Sequence, residues 1–92
     1  MKVLVLYLLN KKGWLLLKYK IKTNLEPYLK ERGIQKVWLA EKTGVTKQQI
    51  SRWSKNDESG FCKYTPSLSY ALVISKVLDC DIKEIFELIE LK

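Results

Sequence analysis

The chain has 92 residues, 47% of them hydrophobic and 29% charged, which excludes a disordered or fibrous protein and leaves room for one small domain. Its net charge of +7 is unevenly distributed, because residues 1–65 carry 14 Lys and Arg against 5 Asp and Glu, whereas residues 66–92 carry 3 against 5. A basic face of this kind is typical of proteins that bind a polyanion, nucleic acid above all, although merely solvated basic surfaces also occur.

Several functional classes find no support in the residue types. The chain has no histidine, and Cys62 and Cys80 are isolated in the sequence, so we expect no structural zinc and two free thiols in a reducing compartment. No nucleophile motif, Gly-rich phosphate loop or arranged carboxylate pair indicates an enzyme. We therefore expect a cytoplasmic protein that is not an enzyme and needs no cofactor or metal.

The N-terminal segment, residues 1–22, predicts a β-hairpin. Two strand-like runs, residues 3–9 and 14–22, flank a polar Asn-Lys-Lys-Gly turn. In the second run Tyr19 and Ile21 alternate with lysines, which is the period-two pattern of a half-buried strand. The first run is too short to span a membrane, and no signal-peptide cleavage pattern follows it. A lone hairpin is marginal in water, so this extension is expected to dock either on the rest of the chain or on a second copy, as a dimerisation element.

Helical periodicity begins after residue 23, where we expect a separate domain, residues 23–92. Asn24 is a candidate cap for a first helix that ends before Gly33. The second helix is expected from Lys36 to Thr43, with Gly44 as its left-handed terminal residue. The segment from Lys55 to Thr65 predicts a loop, with Phe61 and Tyr64 as candidate anchors to the body.

Two further helices are expected near the C-terminus. Thr65 and Pro66 are the candidate N-cap and first residue of the fourth helix. Its predicted inward face consists of Leu68, Ala71, Leu72, Ser75 and Leu78. Asp81 and Glu84 form a capping box that opens a fifth helix. Its predicted inward face consists of Ile82, Ile85, Phe86 and Ile89.

Residues 44–56, GVTKQQISRWSKN, predict a third helix with an unusual distribution of side chains. Thr46 and Gln49 form a capping box, so the helix should begin at Lys47. Ile50 and Trp53 are its inward residues, which leaves a polar face for solvent or for a ligand.

Two short helices joined by a Gly-containing turn form the layout of a DNA-binding helix-turn-helix. In the major groove a glutamine can bond adenine in bidentate fashion, and arginine or lysine can bond guanine. Candidate base-contacting residues are Lys47, Gln48, Gln49 and Arg52. The competing interpretation is an ordinary solvated surface helix.

The segments LKERGIQKVWLAEKTGVTKQQISRW and TPSLSYALVISKVLDCDIKEIF resemble the Cro and lambda-repressor type, or XRE-family, helix-turn-helix domain. The resemblance implies a mainly α fold, a five-helix lambda-repressor-like domain, here preceded by the N-terminal β-hairpin. It also implies that the helix from Lys47 reads the major groove. The residues that it implies to contact the DNA backbone are Gln35, Lys36, Thr46, Lys55 and Asn56.

This chain departs from the family pattern at several positions. Gln35-Lys36 replaces the usual Ser-Gln, Ser54 and Asn56 replace the usual Glu and Gly, and the loop before Pro66 is longer than is common. Trp38 falls where the family tends to be polar, and packing against the hairpin is expected there.

We expect a sequence-specific double-stranded DNA-binding protein that acts as a homodimer, a transcriptional repressor or regulator of bacterial or phage type. The alternative is an antitoxin-like interaction module on the same fold, which would grip a protein partner through the hairpin, with Trp14 or Trp38.

Overall fold

The structure is a computed structural model, and it describes residues 18–91. Five short helices form most of it, with one strand on either side of them in the sequence. The elements are β1 (Tyr19–Thr23), α1 (Leu25–Glu31), α2 (Lys36–Thr43), α3 (Lys47–Trp53), α4 (Leu68–Leu78), α5 (Ile82–Ile85) and β2 (Phe86–Glu90). The expected mainly helical fold with five helices is confirmed in this part of the chain. The predicted strand at residues 3–9 and the turn after it lie outside the described residues.

β1 pairs with β2 in an antiparallel two-stranded sheet, in the register Tyr19 to Glu90 and Thr23 to Phe86. Residues 19–22 were expected in a strand, and they form one with the predicted alternation of half-buried and exposed side chains. The expectation for the last helix is wrong in its second half, because α5 stops at Ile85. Residues 86–90 instead become the strand that satisfies the backbone groups of β1, an arrangement that suits their aromatic and β-branched side chains.

The hydrophobic core is built from all five helices. Its buried members are Leu25, Leu29, Leu39, Ala40, Ile50, Trp53, Ile74 and Ile85. Half-buried side chains such as Val45, Val77 and Phe86 pack against this core. None of the helices within residues 18–91 is long and apolar enough to cross a membrane.

Helix α4 begins two residues later than the sequence predicts. Ser67, not Thr65, is the N-cap, and its hydroxyl accepts a hydrogen bond from the Tyr70 N–H at 3.3 Å. Pro66 therefore precedes the N-cap instead of being the first residue of the helix.

The predicted inward face of α4 is also partly wrong. Leu68 and Leu72 are 73% and 49% exposed, whereas Ile74 is completely buried. α4 packs against α2, and its buried residues are Ala71, Ile74 and Ser75, two of which have small side chains. Ser75 is tolerated there because its hydroxyl donates to the Leu72 carbonyl at 2.8 Å, so its buried polar atom is paired.

Thr23, which is 2% exposed, ties the sheet to the helices. Its hydroxyl donates to the Trp53 carbonyl at 2.6 Å and accepts from the Leu25 N–H at 3.3 Å. Its backbone N–H and carbonyl are bonded by the side-chain amide of Asn56, at 2.9 and 3.0 Å. The end of β1 therefore fixes both the start of α1 and the end of α3.

Candidate nucleic-acid interface

The turn between α2 and α3 sets the relation of the two helices. Gly44 has a φ of 78°, in the left-handed region that favours glycine, and its N–H bonds the Ala40 carbonyl at 2.9 Å. The Val45 N–H bonds the same carbonyl at 3.1 Å. Both the extent of α2 and the role of Gly44 agree with the sequence-based expectation, and α2 packs directly against α3.

The predicted capping box at the start of α3 is confirmed. The Thr46 hydroxyl accepts from the Gln49 N–H at 3.1 Å, and Gln49 Oε1 accepts from the Thr46 N–H at 2.9 Å. Gln49 Oε1 also accepts from the Thr46 hydroxyl at 3.2 Å. The carbonyl oxygen of Gln49 is therefore engaged in holding the helix, and only its NH2 group remains for another partner.

The exposed face of α3 is opposite a narrow buried stripe. Ile50 and Trp53 are 0% and 7% exposed. At about 100° per residue, Gln48 lies opposite the midpoint of these two positions, because an α-helix has about 3.6 residues per turn. Lys47 and Arg52 lie on either side of Gln48, and all three side chains are exposed. Three of the four predicted base-contacting residues thus share one face.

Arg52 lies beside two residues that the sequence did not single out as part of a site. Its Cζ is 5.8 Å from the centroid of the Tyr64 ring, and Lys63 Nζ is 5.6 Å from the same centroid. Tyr64 is 53% exposed, so it does not anchor the loop as expected, whereas Phe61 is half-buried. A basic residue next to an aromatic one late in an extended loop was the only sequence signal for this group.

The predicted backbone-contacting residues fall into two sets. The side chains of Gln35, Thr46 and Lys55 are exposed near the starts of α2 and α3 and just beyond the end of α3. The Asn56 amide is instead occupied by the Thr23 backbone, as described above. Gln35 is the N-cap of α2, but its side chain forms no capping hydrogen bond.

Lys36 also has a partner within the chain. Its Nζ donates to Glu26 Oε1 at 2.8 Å, and both side chains are only partly exposed. This hydrogen bond lowers the pKa of the Glu26 carboxyl below its usual value of 4.5, against the opposing effect of partial burial. The charge of Lys36 is thereby largely balanced within the structure.

Cys62 and Cys80 are free thiols, each half-buried. Burial raises the pKa of both Cys62 and Cys80, so they are protonated and weakly reactive at neutral pH. Among residues 18–91, no cluster of three or more His, Cys, Asp or Glu side chains is arranged to hold a metal ion.

A short helix, a tight turn containing Gly44 and a second helix with an exposed polar face define a helix-turn-helix protein. The chain belongs to the Cro/C1-type HTH DNA-binding domain family, whose sequence profile matches residues 24–90. The match covers α1 to β2 and confirms the family resemblance.

Two solved structures are similar to the chain. One is a Bacteroides fragilis protein assigned as DNA-binding, with 27% sequence identity and a TM-score of 0.59, covering 73% of this chain and 98% of that one. The other is the transcriptional regulator VanUg (Form II), with 27% identity and a TM-score of 0.58, covering 79% of this chain and 89% of that one. No curated protein matches the chain.

Proposed function

We propose that the protein is a sequence-specific double-stranded DNA-binding regulator whose α3 enters the major groove in the lambda-repressor-like manner. The observation that carries this proposal is the exposed face of α3, centred on Gln48 and flanked by Lys47 and Arg52. Bidentate bonds from glutamine to adenine, or from lysine and arginine to guanine, discriminate between bases by roughly 1 to 3 kcal/mol each. The likeness to VanUg supports a role in transcription regulation.

Within this proposal the residue roles are not equal. Lys47 and Gln48 contact base edges, and Arg52 contacts a base or a phosphate. Gln49 contributes only through its NH2 group, because its carbonyl oxygen belongs to the capping box. A glutamine limited in this way cannot make the bidentate adenine contact, so Gln48 is the principal amide reader.

The backbone contacts divide in the same way. Gln35 and Lys55 contact phosphates through exposed groups. Thr46 is exposed as well, but its hydroxyl would have to leave Gln49 Oε1 in order to donate to a phosphate. Lys36 would have to leave Glu26 to do so, and Asn56 would have to release the Thr23 backbone. Asn56 therefore acts chiefly by holding the start of the loop after α3 in position.

A selection of bound duplexes from a random DNA pool tests sequence-specific binding. At about 150 mM salt non-specific binding is weak, so enrichment reports base readout. We expect a two-fold motif with the wild type, and an altered or lost motif with Lys47→Ala/Gln48→Ala. Lys83→Ala is the control, because it removes one charge from α5, on another part of the domain. An unchanged motif in the double variant, shown to be folded, would contradict the assignment of α3.

We further propose that the protein acts as a homodimeric repressor on a short inverted repeat. Two copies would hold their recognition helices roughly 34 Å apart, one turn of B-DNA, so that each reads a half-site. An apolar surface supports pairing of copies. Leu68 is 73% exposed and lines a cleft of about 210 Å³ together with Ile21 and Phe86, and Leu88, which is 64% exposed, pairs with Ile21 in the sheet.

The mass in solution tests the dimer and its location. If Leu68 and Leu88 lie in the interface, Leu68→Lys/Leu88→Lys should make the protein monomeric. If the predicted hairpin at residues 1–22 mediates pairing, Leu6→Lys/Leu8→Lys should do so instead. A wild-type protein that is monomeric in solution would contradict the proposed homodimer. We also propose that residues 1–22 are an extension of a DNA-binding domain formed by residues 23–92, with β1 spanning the boundary between them.

A specific observation keeps the antitoxin-like alternative in view. Val37 and Trp38 on α2 are 45% and 42% exposed, and tryptophan is enriched among the residues that contribute most to protein–protein binding. Copurification of a protein encoded by the neighbouring gene, lost on Trp38→Ala, together with no enriched DNA motif, would favour this function over the first.

A further inference from the structure

The loop between α3 and α4, residues 54–67, is held in a defined shape by its own backbone. The Asp57 N–H bonds the Phe61 carbonyl at 2.7 Å, and Asp57 Oδ1 accepts from the N–H groups of Ser59 and Phe61. Gly60 closes the turn with a φ of 89°. The Asp57 carboxylate is therefore directed into the loop rather than toward an external ligand.

The same loop is also attached to the sheet at two points. The Asn56 amide bonds the Thr23 backbone, and the Cys62 N–H bonds the Ile21 carbonyl at 2.7 Å. The Cys62 thiol donates to the Tyr64 carbonyl at 3.1 Å, so the attachment continues to the end of the loop. Lys63 and Tyr64 are thus carried on a fixed support next to α3.

The side chains of Lys63 and Tyr64 lie on the polar side of α3. Both are exposed, and the Tyr64 ring is within 6 Å of the Arg52 guanidinium and the Lys63 ammonium. A ring at this distance attracts both cations, which restricts where the Arg52 side chain can point. Lysine, arginine and tyrosine are among the side chains that proteins use most to contact DNA phosphates.

We propose that Lys63 contacts a DNA phosphate beside the site read by α3, and that Tyr64 is a positioning residue that orients Arg52 toward the DNA. This inference rests on the proposed function, because it requires the polar face of α3 to meet DNA. It makes the extended loop a part of the DNA interface rather than a spacer between two helices.

Salt dependence of binding tests the Lys63 contact. The probe is a mixed-sequence 24-base-pair duplex, followed by fluorescence anisotropy from about 50 to about 200 mM salt, the range over which phosphate contacts are most easily counted. Losing one phosphate contact lowers the slope of log K against log salt by about 0.9. The affinity deficit of Lys63→Ala should therefore shrink about threefold across this range.

Lys83→Ala is the matched control, because it removes the same charge from exposed α5. It should keep the wild-type slope. Lys63→Gln is a second variant that replaces Lys63→Ala if the latter is poorly folded, and it should show the same reduced slope. Slopes for both Lys63 variants equal to that of Lys83→Ala would overturn the phosphate contact.

A double-variant cycle tests the role of Tyr64. Tyr64→Ala should weaken binding about two- to fivefold, as expected for the loss of an exposed cation–π contact, whereas Tyr64→Phe should not. In an Arg52→Ala background Tyr64→Ala should have a smaller effect, because only the contact of the ring with Lys63 remains. An equal loss with and without Arg52 would overturn the positioning role.

The outcomes separate this inference from the proposed function. The inference alone would be contradicted if the selected motif depends on Lys47 and Gln48 but the slope of log K against log salt is unchanged in the Lys63 variants. A wild type that enriches no motif and binds the duplex without salt dependence would defeat both.

Discussion

Helices α3 and α5 begin alike and end differently. Each starts with a complete capping box, Thr46 with Gln49 and Asp81 with Glu84. α3 then runs for seven residues, whereas α5 runs for four and continues directly into β2. The starts are fixed by residues three positions apart, so the difference must arise at the C-terminal ends.

Both C-terminal ends are held by the junction between β1 and α1. The Trp53 carbonyl of α3 accepts from the Thr23 hydroxyl, and the Ile85 carbonyl of α5 accepts from the Asn24 N–H at 2.8 Å. Beyond Ile85 the backbone groups pair with β1, and beyond Trp53 the chain enters the loop that supports Lys63 and Tyr64. Local side chains decide where these helices start, and distant partners decide where they stop.

The largest expected effect comes from breaking the distant partner of α3. Thr23→Val keeps the shape but leaves the Trp53 carbonyl and the Leu25 N–H without their buried partner. We expect the free energy of unfolding to fall by about 2 to 3 kcal/mol in urea titrations. Thr43→Val is the control, because the Thr43 hydroxyl bonds only carbonyls of its own helix, α2. A loss below about 1 kcal/mol for Thr23→Val, within the net range of one ordinary hydrogen bond, would contradict the account of the α3 end.

Local caps should matter less, and equally at the two helices. Thr46→Ala and Asp81→Ala each remove an N-cap side chain, so each should cost about 1 kcal/mol in urea unfolding. Gln48→Ala, on the exposed face of α3, serves as the neutral control. A much larger cost for Asp81→Ala than for Thr46→Ala would show that α5 depends on its cap more than α3 does.

This contrast also explains what could be predicted from the sequence. The extent of α2, the left-handed Gly44 and both capping boxes were predictable, because each depends on residues a few positions apart. The β2 strand was not, because its partner β1 lies at the other end of the domain. Without β1 the apolar spacing of residues 82–89 fits a helix equally well.

The candidate site divides in the same way. Exposure of Lys47, Gln48 and Arg52 followed from the inward positions of Ile50 and Trp53 on one helix. The engagement of Lys36 by Glu26 and of Asn56 by Thr23 depends on packing between separate elements. Neither pairing has a signature in the local sequence, and the same holds for Tyr64 beside Arg52.

Helix α4, unlike α3 and α5, ends at a residue whose own backbone conformation stops the helix. Asp79 terminates the helix in the left-handed region with a φ of 53°, the only non-glycine residue with positive φ within residues 18–91. Asp79→Gly should raise the free energy of unfolding by about 0.5 to 1 kcal/mol, because it relieves backbone strain and removes a carboxylate from a helix C-terminus. Asp79→Ala removes the charge but keeps the strain, so it should not reproduce the gain. Equal stabilisation by both would assign the effect to charge alone.

The smallest expected effect concerns the start of α2, which has no side-chain cap and instead carries the ion pair of Lys36 with Glu26 on α1. The pKa of Glu26 is lower in the folded state than its usual value of 4.5, so the pair stabilises the fold above that pH. Its contribution is lost as the pH falls through the depressed folded-state value. Because both groups are partly exposed, Glu26→Gln should cost only a few tenths of a kcal/mol at pH 7. The stability difference between Glu26→Gln and wild type should vanish in strong acid, while Glu58→Gln, in the exposed loop, should show little difference at either pH. A difference that persists below the folded-state pKa would mean that packing, not charge, joins α1 to the start of α2.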